Sequence, residues 1–494
     1  MQGVRVLARA LASAGRQQPV SFQTKLHARE SGILEIIEGF PWCAQQWRKG
    51  LLGRDVGGTG VRSFASSPLS RKIVESQLPG AICRYRLLKT AFWKQAQSAS
   101  RSCRMSTMSV EAGSIKEMAP LVKGGISNQK TVGTWLFGCT GWVFSMVVLG
   151  GMTRLTRSGL SMTDWKFVGS LPPLTEEQWQ MEFLKYQSSP EYKRVNKGMS
   201  LNEFKFIFWM EYAHRMWGRA LGIVFAGPFA YFVLRGYISQ RLGLRLCTLM
   251  TMGAAQGFVG WWMVQSGLEE PETEYIQPRV SPYRLAAHLT SAFAIYSGLF
   301  WTALSVVTPH STASGEAARA AMRVRRLAVP VAALVGITAV SGAFVAGNDA
   351  GHAYNTFPKM GDTWIPEGLM DMKPFFRNFF ENTATVQLDH RILATSTLFS
   401  IVGMWAVTRK LPVDPRVRTL LNATFGMAAL QVTLGISTLL MYVPVSLGTA
   451  HQAGALTLFS IVLSLVHGVR RPLPGFISAS QISGQVMSLH RLVK

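Results

Sequence analysis

From about residue 130 onward the chain alternates long apolar blocks with short polar ones. Eight blocks, approximately 132–152, 206–234, 246–266, 285–307, 327–347, 384–408, 419–443 and 448–469, are long and apolar enough to cross a bilayer, which takes ~20 helical residues. The intervening loops differ in charge. Those after the second, fourth and sixth blocks carry Arg235, Arg241 and Arg245, then Arg319, Arg323, Arg325 and Arg326, then Arg409, Lys410, Arg416 and Arg418. The other loops are longer and mixed or acidic, such as EEPETEY at 269–275. Basic loops stay on the side from which insertion begins, so both termini are expected on the basic side. The pattern predicts an all-α integral membrane protein with eight transmembrane helices.

The first four blocks repeat in the last four. EYAHRMWGR in the second block aligns with QLDHRILAT in the sixth. GAAQGFVGWWM in the third aligns with MAALQVTLGIS in the seventh through Gln256 and Gln431, each followed four residues later by glycine. LAAHLTSAF in the fourth aligns with GTAHQAGAL in the eighth. Two tandem, pseudo-symmetric four-helix bundles follow, covering 128–310 and 320–470, with parallel topology about an axis along the membrane normal.

Charged groups inside such blocks cost roughly 2.5–3.5 kcal/mol each on insertion scales. They are expected to face a cofactor, a partner charge or water. Of nine histidines, four occupy matching places in the repeat: His214 and His288 in the first unit, His390 and His451 in the second. One histidine on each of two helices of a bundle suits the two axial positions of a haem, for which the bundle core provides an apolar slot. Zinc would call for cysteine or carboxylate companions at close range. The second unit offers only Asp389, turned about 100° around its helix from His390. Two bis-histidine haem sites are therefore expected. His27, His310, His467 and His490 lie in terminal or basic-side segments, and His352 in an outer loop is read as a surface residue.

Arg215 and Arg391 follow the first histidine of each unit, and Arg154 and Arg157 end the first block on the same side. These four are candidates for the haem propionates, since guanidinium groups pair with carboxylates in bidentate fashion, with interfacial snorkelling as the competing use. The units differ three residues before the first histidine: Glu211 in one, Gln387 in the other. Both share a helix face with their histidine. Only glutamate can take or give a proton. The first unit is thus the candidate for chemistry and the second for a fixed electron-carrying cofactor.

Charge changes the picture little. The net +25 would suggest nucleic acid in a soluble protein, but residues 1–127 alone hold 19 Lys and Arg against 7 Asp and Glu, and most of the rest lies in short loops. No nucleic-acid partner is expected. Residues 1–29 are Arg-rich and free of acid, with no long apolar core, and read as a mitochondrial presequence. The stretch 30–127 is a basic, matrix-side segment without clear periodicity, and 471–494 is a matrix-side tail. Five cysteines occur, none in a CxxC pair, so no disulfide framework or zinc site is implied.

EYAHRMWGR, GGMTRLTRSGLSMTDWK (150–166), LAAHLT, LDHRILA and GTAHQAG together resemble the heme A synthase family of the mitochondrial type, over roughly residues 130–470. Bacterial members with a cysteine pair in the first outer loop differ, because 153–205 has no cysteine. The resemblance implies oxidation of a ring methyl group of haem O to the formyl group of haem A, for cytochrome c oxidase biogenesis. It implies that His390 and His451 ligate a resident haem b, that His214 and His288 flank haem O, and that Glu211 is the essential glutamate. It places the chain in the mitochondrial inner membrane among its lipids, with both termini in the matrix and with an electron acceptor that the sequence does not identify. The farnesyltransferase that makes haem O and a second copy of the chain are candidate partners. Two other readings fit four histidines in a bundle: a dihaem b-type electron-transfer cytochrome or quinone reductase, and a non-catalytic haem carrier for oxidase assembly.

Overall fold

A computed structural model describes residues 120–166, 169–271, 273, 277–308 and 315–470. They fall within one unit, Ile115–Lys494. The expected presequence, most of the segment 30–127 and the tail 471–494 lie outside the described residues.

Among the described residues, eight helices of 24 residues or more carry the fold. They are α1 (Gly125–Leu155), α4 (Leu201–Leu234), α5 (Gln240–Leu268), α6 (Pro282–Val307), α7 (Gly315–Gly347), α9 (Thr383–Thr408), α10 (Pro415–Leu440) and α11 (Val445–Gly468). Shorter helices α2 (Glu176–Gln187), α3 (Pro190–Arg194) and α8 (Asn378–Glu381) lie in the connections. Seven of the eight long helices are apolar enough to cross a membrane. The exception is α5, expected from the block 246–266. It is 29 residues long, but Gln256 and Gln265 and the glycines at 253, 257 and 260 dilute its apolar character.

Several helices extend beyond the apolar blocks because their ends are capped by polar side chains. Ser200 accepts from the Glu203 amide while Glu203 returns a bond to the Ser200 amide, which starts α4 ahead of its apolar run. Asn382 accepts from the Ala384 and Thr385 amides at 3.0 and 3.2 Å and sets the start of α9, a contribution of about 1 kcal/mol for such caps. Asp414 and Pro415 open α10, and Pro282 opens α6, in each case where the missing proline N–H costs nothing.

In the first half, α1 packs on α4 and α6, and α5 touches α4 and α6; in the second, α7 packs on α9 and α11, and α10 touches α9 and α11. Each set has its own apolar core. One is built around Val132, Leu136, Leu242, Leu246 and Ala303, the other around Val324, Ala328, Ile401 and Val462. The sets meet where α1 and α6 touch α11 and α6 touches α7. There Phe293 stacks on Phe459 with centroids 5.8 Å apart, and the Tyr296 and Ser460 hydroxyls lie 2.6 Å apart. Gln452 Nε2 donates to Val147 O at 3.0 Å, and a side chain on Gly151 would overlap Gln452 Oε1. His467, at the end of α11, is buried against Trp301 and bonds with Ser305 and Arg470.

Large apolar side chains such as Ile223, Leu234, Phe258, Phe399 and Val407 point outward and are exposed. An apolar outer surface of this extent is the form expected of helices surrounded by lipid. Above α4, α2 folds down through an aromatic cluster of Trp179, Tyr186, Phe204 and Phe208. Four of these side chains are buried, so this outer connection is a packed cap and not a loose loop.

Candidate functional site

The four repeat-related histidines lie in α4, α6, α9 and α11, two in each half of the fold. The His390 and His451 rings are separated by 6.5 Å between centroids with planes at 83°. Two imidazole nitrogens each about 2 Å from one metal atom place the ring centroids about 6 Å apart, so this pair fits opposite sides of a haem iron. Among the described residues no group of three or more His, Cys, Asp or Glu side chains is placed to hold a metal ion. The chemistry of the donor set is therefore that of paired imidazoles.

Each ring is seated against a glycine of a neighbouring helix. A Cβ would stand 3.0 Å from His214 Cε1 at Gly150, 3.0 Å from His288 at Gly260, 3.3 Å from His390 at Gly342, and 2.8 Å from His451 at Gly435. Any larger residue would push the imidazole out of its seat. Glutamines fix the second histidine of each half. Gln256 Nε2 lies 3.1 Å from His288 Nδ1 and donates to His288 O at 2.8 Å; Gln431 does the same for His451 at 3.1 and 2.9 Å. The two glutamines marked the repeat in the sequence, but their use became visible only when α5 met α6 and α10 met α11. Their outer ends differ: Gln256 Oε1 accepts from Ser291 Oγ at 2.5 Å, whereas Gln431 Oε1 has no partner.

The first histidines are supported unequally. Ser341 Oγ lies 2.7 Å from His390 Nδ1, while His214 Nδ1 is buried with no hydrogen-bond partner. Of these small residues only Gly260 and Gly435 stood out in the sequence, as part of the repeat; Ser341, Gly150 and Gly342 did not, because single small residues in an apolar helix carry no distinctive pattern.

The residues flanking the first histidine grip the outer loops. Glu211 is 2% exposed. Its Oε2 accepts from Ser161 Oγ at 2.7 Å and the Met162 amide at 2.9 Å, and its Oε1 pairs with Arg215 at 2.5 Å. Arg215 also donates to Met162 O and Asp164 O and sits over Trp165, and Arg219 donates to Lys166 O at 2.9 Å. In the second half Gln387 donates to Ala350 O at 2.7 Å and to Ala353 O. Arg391 donates to Tyr354 O, Lys359 O and Gln387 Oε1 at 2.8, 3.1 and 3.1 Å. Glutamate meets a loop that presents donors, and glutamine meets one that presents carbonyls. The choice between them thus has a structural side that the sequence concealed.

The candidate propionate partners are already engaged. Arg154 pairs with Asp349 at 2.8 Å and donates to Ala346 O at 2.7 Å; Arg157 reaches Gln277 at 3.4 Å. Spare donors nonetheless remain, because Arg154 Nε and Arg391 Nε are buried without partners, and an unsatisfied buried donor is costly. Those two arginines fit an incoming carboxylate. His352 is exposed in a short 3₁₀ turn, Ala350–His352, within the loop that Arg154, Gln387 and Arg391 hold.

A second buried carboxyl was not anticipated. Glu191, in α3, is 5% exposed and accepts from the Tyr186 hydroxyl at 3.2 Å. Burial pushes its carboxyl up to about 7; the Tyr186 bond opposes this, the Glu211 charge adds to it, and Arg157 and Arg154 oppose it. A carboxyl with a raised folded-state pKa stabilises the fold in its protonated form. That contribution is fully present below about pH 4.5 and is lost as pH rises through about 7. Protection of 176–196 against protease is accordingly expected to weaken between about pH 5 and pH 8, by on the order of 3 kcal/mol at most, and Glu191→Gln should abolish that slope. A wild-type slope equal to that of the variant would show that Glu191 titrates normally.

Comparison with known proteins matches a family model over residues 133–463, COX15-CtaA, described as cytochrome oxidase assembly protein. A protein of Arabidopsis thaliana named heme A synthase COX15 is 66% identical over 387 residues, covering 78% of this chain and 85% of that protein. The human protein of the same name is 47% identical over 345 residues, 69% of this chain and 83% of that protein. The Saccharomyces cerevisiae one is 41% identical over 377 residues, 71% and 78% of the two chains. With most of its helical region matched by the family model, the chain belongs to the COX15-CtaA family of cytochrome oxidase assembly proteins.

Proposed function

We infer that this chain is a heme A synthase, an oxidoreductase that converts a ring methyl group of haem O to the formyl group of haem A for cytochrome c oxidase. The names of its relatives support the activity. The observation that carries it to particular residues is a pair of matched histidine sites differing in one ionisable group, Glu211 against Gln387.

The first half, 128–310, is the substrate unit, and the second, 320–470, the resident-cofactor unit. The two closed sets of helix neighbours support reading them as pseudo-symmetric four-helix bundles, with α5 completing eight spans. His390 and His451 hold haem b, and the 6.5 Å ring separation supports that assignment. His214 and His288 flank haem O. The spare Nε–H groups of Arg391 and Arg154 receive propionates, and Arg215 and Arg157 act beside them, chiefly by holding the outer loops. Basic loops on one side support a multi-pass arrangement in the mitochondrial inner membrane with both termini in the matrix.

Converting a methyl to a formyl group removes electrons and releases protons. The haem iron supplies redox chemistry when bound. The chain's own residues orient the ring, exclude water and receive protons. Glu211 is the proton acceptor, its carboxylate paired with Arg215 and carried on the same face of α4 as His214. Purifying the full chain from cells supplied with haem O and identifying the extracted haems by mass tests this reading. Haem b together with haem O, a hydroxylated form or haem A is expected. Two haem b per chain and nothing else would instead favour an electron-transfer cytochrome.

A further inference from the structure

The two histidine sites are nearly superimposable in design, yet one must release its haem as product and the other must keep it. At the second histidine of each half the contact to the ring is the same, Gln256 and Gln431 approaching His288 and His451 Nδ1 at 3.1 Å, and only the far ends of those glutamines differ. The first histidine does. Gly150 seats His214 as Gly342 seats His390, so the residues immediately before them, Leu149 and Ser341, occupy equivalent places in α1 and α7. Ser341 Oγ donates to Thr338 O at 2.8 Å, a carbonyl that can only accept. Having given away its one proton, the hydroxyl accepts from His390 Nδ1–H at 2.7 Å. That fixes the tautomer with the Nε2 lone pair free for iron, orients the ring and raises its basicity as a ligand. Leu149 has no polar atom to offer, and His214 Nδ1 is buried without a partner. A ring that ligates through Nε2 there must carry a buried, unsatisfied N–H, which weakens the bond to iron.

We propose that the Ser341/Leu149 difference decides which haem is resident: Ser341 is a positioning residue that makes His390 a tight ligand, and Leu149 leaves His214 a weak one from which product departs. This rests on the assignment of haem b to the second unit and haem O to the first. Failure of that assignment would appear separately, in the identities of the haems extracted from the wild-type chain.

The test exchanges the two residues singly in the full-length, detergent-purified protein and follows haem transfer to excess apomyoglobin, with haem b and haem O distinguished by mass. Ser341→Ala is expected to speed haem b loss about 10–100-fold, the range typical for removal of a partner to a metal-ligating histidine. Ser341→Thr, which keeps the hydroxyl, should restore slow loss. Leu149→Ser is expected to slow haem O departure by a similar factor, and to sharpen the low-spin bis-histidine spectrum of the first site. Leu149→Ser changes no residue of the second unit, so it decides the matter even where Ser341→Ala does not fold. Loss rates within twofold of wild type in Ser341→Ala, or an unchanged haem O departure and spectrum in Leu149→Ser, would overturn the proposal.

Discussion

Glu211→Gln is expected to lower haem A formation by about 100-fold or more, the scale of a lost general base, while haem b content stays at the wild-type level. The carboxylate is 2% exposed and satisfied by three donors from Ser161, Met162 and Arg215. The amide removes the negative charge that pairs with Arg215. It also turns an N–H group toward partners that themselves donate. Proton transfer and loop holding are therefore both at stake, and two measurements separate them. The haem A to haem O ratio reports the chemistry, and protease accessibility of 156–166 reports the loop. Arg215→Met serves as reference, since it loosens the same loop and retains the carboxylate. Equal losses of haem A in the two variants, in step with loop opening, would make Glu211 a holding residue. A much larger loss in Glu211→Gln, with the loop closed, fits a proton acceptor.

His390→Ala should cost the second site its haem and abolish haem A formation, with haem b affinity down by at least about 100-fold, because His451 alone would remain to ligate. His214→Ala should instead retain haem b at wild-type stoichiometry and lose haem O. The asymmetry is the informative part. Haem counted per chain by mass in both variants, with equal haem b loss from each, would mean that the sites are not divided between substrate and cofactor.

Much of this architecture was legible in the sequence, for identifiable reasons. Apolar blocks of bilayer length leave little choice but helices, and duplication wrote two histidines and one glutamine twice, so each copy marked the other. Glu211 stood out because charge is rare at that depth, and Gln387 because the repeat sets it opposite Glu211. Legibility failed where function is carried by small or ordinary residues. Gly150, Gly260, Gly342 and Gly435 acquire meaning only when another helix brings an imidazole to within 3.3 Å or less of where a Cβ would be. Ser341 looks like any serine in an apolar helix until it meets His390. The arginines were read correctly as costly, but their partners are largely backbone carbonyls of loops, and carbonyls have no sequence signature. Glu191 was missed for a similar reason, since only the folded cap of α2 over α4 buries it. The third apolar block was read as a span on length; of the residues that lower its hydropathy, Gln256 and Gly260 face His288, whereas Gly253, Gly257 and Gln265 are exposed.

Gly150 and Gly151 are consecutive in α1 and point about 100° apart around it. One bears on the His214 ring, and the other on Gln452, the chain neighbour of His451. α1 thus lies between the His214 ring and the turn of α11 that carries His451, pinned by the bond from Gln452 to Val147 O. A rigid partition of this kind transmits displacement: α1 cannot shift to admit or release a ligand on one side without moving the anchor of the other. A shift of α1 at His214 would thus also be a shift beside His451, so the duplicated halves are joined here side chain to backbone.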